Sequence, residues 1–115
     1  MAEDNKKYLN EESGLARLRG NKKLYVRMLG MFLTSAEFGK FEEAISASDM
    51  PGAGDLAHAI KGIAGNLSLD LLAEYSTSLM TQLRGGTYDE ATLAAYRDSY
   101  TKTRALVEEY VAANA

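Results

Sequence analysis

The chain of 115 residues has no cysteine, no tryptophan and a single proline, Pro51. The absence of cysteine excludes a disulfide framework, thiolate chemistry and a cysteine-ligated metal. No stretch approaches the roughly 18 apolar residues of a membrane span, and the polar N-terminus lacks the apolar segment of a secretory signal. The net charge of −3 comes with no basic stripe for a phosphate backbone. We therefore expect a cytoplasmic monomer that binds neither nucleic acid nor a membrane.

The residues that are present favour helices. Leucine and alanine are frequent, and no segment alternates apolar and polar residues long enough for a strand. Near the C-terminus, apolar and aromatic residues recur alternately three and four apart, at Leu93, Tyr96, Tyr100, Thr103, Val107 and Tyr110. This spacing is typical of a bundle seam. The fold predicted is all-α: an antiparallel four-helix bundle with a short additional N-terminal helix, over residues 9–113, after a flexible N-terminus of residues 1–8.

Capping residues predict where the first helices begin and end. Asn10 and Gly20 are a suitable start and stop for the short first helix. Asn21 is predicted to cap a helix that runs to about Ala36. The stretch 37–48 continues with helical spacing, and Gly39 predicts a bend near residues 38–40.

Similar signals divide the second half. Asp49 followed by Pro51 predicts the start of a helix that ends at about Leu67. Ser68 is predicted to cap the next helix, which runs to about residue 83. Thr87, with Glu90 three residues later, predicts a capping box for the last one.

The only histidine, His58, lies on the helix that follows Asp49. At about 100° per residue, Ile60, Ile63 and Leu67 fall within roughly 40° of Leu56, and the four residues predict a stripe that faces the core. His58, Lys61, Gly62 and Gly65 share the opposite face. Each glycine inside a helix costs on the order of 1 kcal/mol relative to alanine, which suggests that something needs the space.

An exposed imidazole can act as a nucleophile, because the neutral ring keeps a free nitrogen. Gly62 and Gly65 would let a bulky electrophile, or the active-site loop of another protein, approach the ring. Lys61, one turn away, would place a cation where it can stabilise a phosphoryl group. Two plainer interpretations stay open: a lone exposed histidine without a function, and glycines that allow a neighbouring helix to pack closely.

These residues resemble the His-x-x-Lys-Gly-x-Ala-Gly pattern of histidine-containing phosphotransfer (Hpt) domains in two-component phosphorelays. The pattern is matched by His58, Lys61, Gly62, Ala64 and Gly65. The segment 14–21 and the residues around 24–32 are also similar to the N-terminal part of the family, so the resemblance covers roughly residues 9–112. One position departs from the family, which commonly has glycine ten residues after the histidine, where this chain has Ser68.

The resemblance implies a phosphoryl carrier without kinase activity of its own. His58 would be the phosphorylated residue, Lys61 would support the phosphoryl group, and Gly62 and Gly65 would admit the partner. The partners implied are response-regulator receiver domains or a hybrid histidine kinase. Because the receiver supplies the acidic pocket and the Mg²⁺, no cofactor and no metal site are expected in this chain.

Other functions fit less well. Nothing resembles the nucleophile elbow of a hydrolase, and no glutamate lies three residues before His58, as a di-metal carboxylate bundle requires. The serious alternative is an Hpt-like docking module that binds a receiver or kinase through the same surface without carrying phosphate. A pure docking module would not require His58.

Overall fold

The computed structural model describes residues 3–115, and seven helices lie in that range. They are α1 (Glu3–Lys6), α2 (Glu11–Arg17), α3 (Lys22–Leu33), α4 (Glu37–Ser46), α5 (Met50–Asn66), α6 (Asp70–Arg84) and α7 (Glu90–Asn114). No strand occurs among these residues, which confirms the predicted all-α class. Helix α1 falls within the segment predicted as a flexible N-terminus, whose first two residues lie outside the described range.

Helices enclose the core on four sides. Helices α5, α6 and α7 form three of them, and the consecutive pair α3 and α4 forms the fourth, with α3 packed on α7 and α4 packed on α5. The short connections between α4, α5, α6 and α7 make successive helices antiparallel. Short helix α2 packs against α3.

The break between α3 and α4 does not occur where the sequence predicted it. Gly39 lies inside α4, and the chain leaves the helical path earlier, at residues 34–36. There the Thr34 hydroxyl donates to the carbonyl of Met31 at 3.2 Å, and the Ser35 hydroxyl donates to the Glu37 carboxylate. Such local side-chain bonds compete with helical hydrogen bonding, so α3 ends three residues before the predicted position.

Aromatic rings fill much of the core. Phe32 and Phe38 meet edge to face with their centroids 5.1 Å apart, and Phe41 packs on Tyr96 at 5.0 Å. The predicted seam of α7 is buried at Leu93, Tyr96, Thr103, Val107 and Tyr110. Tyr100 is only half-buried and stacks on Phe38 at 4.5 Å.

Three predicted N-caps are confirmed, at Asn10, Asn21 and Asp49, whose side chains accept the expected backbone N–H groups. The predicted capping box at Thr87 is wrong. Asp89 caps α7 instead, through a 2.9 Å bond from the amide of Ala91. The amide of Thr87 already bonds the carbonyl of Gln82 at 3.3 Å, so Thr87 closes the end of α6 rather than opening α7.

Ser68 does not cap α6 either, and its true role is at the end of α5. Leu69 is the N-cap residue of α6, with no side-chain cap bond. Ser68 adopts φ of 57°, and its amide bonds the carbonyl of Gly65 while the amide of Leu69 bonds that of Ala64. This is a Schellman motif with serine at the position that usually holds glycine. The turn geometry that glycine would give is therefore kept.

The hydroxyl of Ser68 explains how serine is held in this conformation. It is buried, donates to the Ser13 hydroxyl at 2.9 Å and accepts from Nε of Arg17 at 3.3 Å. In addition, the carbonyl of Ser68 accepts from the amide of Asn10 at 3.1 Å. The turn between α5 and α6 is thus tied to α2 and to the residue that caps it.

Gly14 of α2 lies against Tyr25 of α3, and a substitution at Gly14 tests the packing between these two helices. A Cβ added at Gly14 would lie 2.5 Å from the ring of the buried Tyr25, which is too close for any real contact. Gly14→Ala should therefore lower the free energy of unfolding by about 1–3 kcal/mol, as expected for overpacking. Urea denaturation followed by circular dichroism measures the change. Gly39→Ala is the matched control, because a Cβ there meets nothing within 4 Å; it should leave stability unchanged or raise it.

Candidate functional site around His58

Helix α5, which carries His58, is fixed at both of its ends. At its start, the Asp49 carboxylate accepts from the amide of Gly52 at 3.0 Å, and Pro51 lies in the first turn. At its end, the Tyr25 hydroxyl donates to the carbonyl of Leu67 at 2.8 Å, next to the Ser68 turn. Both ends satisfy backbone groups that a helix leaves unpaired, so the position of α5 is well defined.

The core-facing side of α5 differs from the predicted stripe. Ile60 and the C-capping Leu67 are buried, but Leu56 and Ile63 are only half-buried. The other buried residues of the helix are small: Ala53, Gly54, Ala57 and Ala64. On the helical wheel, the centre of the buried face is turned roughly 70° from the predicted stripe. A pattern of large aliphatic residues misses this face because helix α6 packs closely on small ones.

His58 lies beside the seam between α5 and α6, and its side chain is exposed. Its Nδ1 atom is 3.3 Å from the Sδ atom of Met80 on α6, and Met80 itself is half-buried. Among the described residues, none forms a hydrogen bond with Nε2, the ring nitrogen farther from the backbone. The imidazole therefore has one nitrogen in contact with the protein and one without a protein partner.

The space above Gly62 and Gly65 is open. A Cβ added at either glycine would meet no described atom within 4 Å, leaving aside the helix's own backbone. No neighbouring helix uses this space, so the interpretation that the glycines serve close helix packing is wrong. Lys61 is half-buried on the same helix, and its ammonium group takes part in none of the ion pairs found among the described side chains.

An apolar groove continues from this face toward α3. It encloses about 240 Å³ and is lined by Met28, Met31, Phe32, Ser35, Ile63, Asn66 and Leu67. Met31 is 64% exposed and is the large hydrophobic side chain that protrudes most among the described residues. Asn66 is one turn after Gly62 on α5, so the groove and the open glycine surface adjoin each other.

Sequence reasoning missed two residues of α6 that pack against the His58 helix: Met80 beside His58 itself and Arg84 beside Gly54. Met80 is 22 positions away in the chain and meets His58 only because α5 and α6 are antiparallel. Arg84, one turn after Met80, lays its side chain beside Gly54, where an added Cβ would lie 3.5 Å from the Arg84 Cγ. Both residues could have been found by aligning α5 and α6 as antiparallel helices, starting from the short connection between them. Residue spacing within a single helix could not have identified them.

Within residues 3–115, no group of three or more histidine, aspartate or glutamate side chains is placed to hold a metal ion. None of the helices in the described range is both long enough and apolar enough to cross a bilayer.

A model of the Hpt domain family matches residues 27–113, about three quarters of the chain. The chain belongs to the Hpt domain family. Its members are phosphocarriers of phosphorelays that interact with receiver domains and kinases, and in general they are not kinases themselves. No curated protein and no solved structure matches the chain.

The open space above Gly62 and Gly65 leads to a prediction about the stability of the fold. Because no residue in the described range occupies it, Gly62→Ala and Gly65→Ala should each raise the free energy of unfolding by about 0.5–1 kcal/mol. Urea denaturation of the single and double variants measures the gain, with Gly14→Ala as the destabilised reference. A loss of stability at either position would show that the fold itself needs that glycine.

Proposed function

We propose that this Hpt domain accepts a phosphoryl group on His58 from the aspartyl phosphate of a receiver domain and passes it to the aspartate of another. The observation that carries the proposal is the exposed imidazole beside two helix-interior glycines whose open space the fold does not use. Two unfavourable residues on the histidine's own face are explained if another protein must approach the ring. The cytoplasm, as the place of this exchange, stays a prediction of the sequence.

The proposed transfer is an in-line substitution at phosphorus. The lone pair of Nε2 forms the N–P bond as the bond between phosphorus and the aspartyl oxygen breaks, and the electrons of that bond return to the receiver's carboxylate. Lys61 provides a cation near the phosphoryl oxygens, and the receiver contributes its acidic pocket and Mg²⁺. The catalytic effect of this chain then comes from holding the ring in position and from charge stabilisation.

The groove between α3 and α5 supports the same proposal. It adjoins the glycine surface and presents apolar side chains to solvent, including the exposed Met31. Exposed apolar patches on otherwise polar surfaces mark interaction sites. A receiver that reaches His58 across Gly62 would cover this groove.

Removal of the imidazole tests the carrier role directly. The wild-type protein should take acid-labile label from a phosphorylated receiver, whereas His58→Gln should take none, because glutamine lacks the nucleophilic nitrogen. Gel autoradiography after acid and alkali treatment measures the label. Equal receiver binding by both proteins, with no label on either, would favour the docking module; label on His58→Gln would contradict the proposed site.

Graded substitution of Gly65 tests the cleared surface. Gly65→Leu should slow transfer from the receiver by at least about tenfold, because its side chain fills the space that the partner needs. Gly65→Ala should slow it less. Labelling by phosphoramidate, a small phosphoryl donor, should remain close to wild type in both variants. If Gly65→Leu accepts phosphate from the receiver as fast as wild type does, the glycines do not serve partner access.

A further inference from the structure

The contact between His58 and Met80 has a chemical consequence for the ring. Nδ1 of His58 and Sδ of Met80 are 3.3 Å apart. A thioether sulfur carries no hydrogen and is a weak acceptor, so a hydrogen bond between these atoms requires a proton on Nδ1. A neutral imidazole holds one proton, and placing it on Nδ1 leaves the lone pair on Nε2.

The two helices hold this contact in place. On α6, Leu79 and Leu83 are fully buried on either side of Met80 in sequence, so the helix cannot turn without disturbing the core. On α5, Gly54 packs against the side chain of Arg84, one turn along each helix from the His58–Met80 pair. The close seam therefore brings the sulfur to Nδ1 rather than leaving the ring to rotate freely.

We propose that Met80 is a positioning residue that holds His58 in the Nδ1–H tautomer and so keeps the Nε2 lone pair available for attack. The proposal rests on the phosphoryl-carrier function proposed above and adds to it a residue outside the His58 helix. During transfer the Nδ1 proton stays on the ring: the N–P bond forms at Nε2, and the resulting cationic ring still donates to the sulfur. No proton acceptor and no further reactant are needed in this step.

A neutral sulfur suits this role. A carboxylate at the same place would also accept from Nδ1, but it would add a negative charge beside an incoming phosphoryl group. The thioether orients the ring without that repulsion. Its acceptor strength is small, so the expected preference between tautomers is modest, about threefold.

The tautomer is measured directly by nitrogen NMR. His58 is the only histidine, so the two ring nitrogens of a ¹⁵N-histidine-labelled sample belong to one residue. At a pH where the ring is neutral, the wild type should show Nδ1 as the mainly protonated nitrogen and Nε2 as the mainly unprotonated one. Met80→Leu keeps the bulk without the acceptor and should shift the populations toward Nε2–H. Met80→Gln restores an acceptor oxygen and should return the wild-type pattern.

The same variants are then phosphorylated with phosphoramidate. Met80→Leu should react more slowly than wild type in proportion to its smaller Nδ1–H fraction, by up to about threefold, and Met80→Gln should recover most of the rate. Met50→Leu is the control, since it makes the same change at another half-buried methionine, two turns before His58 on α5. It should alter neither the NMR pattern nor the rate.

The outcomes separate this inference from the function on which it rests. Unchanged tautomer populations in Met80→Leu overturn the proposed role of Met80, and so does an equal rate loss in the leucine and glutamine variants, which would indicate packing alone. A tautomer shift that glutamine reverses supports the role. If that shift occurs while even the wild type takes no phosphate from any donor, the carrier function fails and the assignment of Met80 to the ring tautomer stands.

Discussion

Close packing between α5 and α6 is the constraint on which the rest of this structure depends. The buried side of α5 consists mainly of alanine and glycine, and at Gly54 an added Cβ would lie 3.5 Å from the Cβ of Leu83 and from the Cγ of Arg84, so α6 side chains pack close to α5 there. Ile60 is the large side chain that α5 itself sends into the middle of the core. At such a seam, residues on the edge of one helix meet residues on the edge of the other. His58 and Met80 are such a pair, and the chemistry proposed for the ring follows from their separation.

The glycines of this Hpt domain divide according to whether the fold requires them. Gly14 is required, since the ring of Tyr25 occupies the place of its Cβ. Gly62 and Gly65 are not, and each weakens the helix by roughly 1 kcal/mol, against a total stability of about 5–15 kcal/mol for a typical domain. A loss of stability of that size, with no structural benefit within the fold, supports a role in contact with another molecule. Burial alone does not make this distinction, because Gly65 and Gly52 are both half-buried, yet a Cβ added at Gly52 would lie 2.7 Å from the Cγ of the capping Asp49.

Helical periodicity predicted the class of fold and the exposed face of His58, and capping residues predicted the starts of α2, α3 and α5, because these features depend on residues close together in sequence. Some predictions failed because a residue is held by a distant one, and others, at residues 34–36 and at Thr87, because a nearby hydrogen bond was not anticipated. Ser68 resembles an N-cap in isolation, but the hydroxyl of Ser13 and the guanidinium of Arg17 hold it as the last turn of α5. The amide of Thr87 bonds the nearby carbonyl of Gln82 at the end of α6, which leaves Asp89 to start α7. Met80 carries no local signal at all, since its partner is on another helix.

The secure ends of α5 explain how the helix tolerates two destabilising glycines, Gly62 and Gly65, in its interior. Two interior glycines weaken a helix chiefly by increasing the conformational entropy of its unfolded state, and secure ends offset that weakness. Asp49 caps the start, while the Ser68 turn and the Tyr25 hydroxyl bind the last carbonyls. The helix is thus held at its two ends, where its backbone groups would otherwise be unpaired. On the side of His58, Gly62 and Gly65 leave its surface without covering side chains. A group that must meet another protein's active site in line needs both properties, a fixed position and an unobstructed approach.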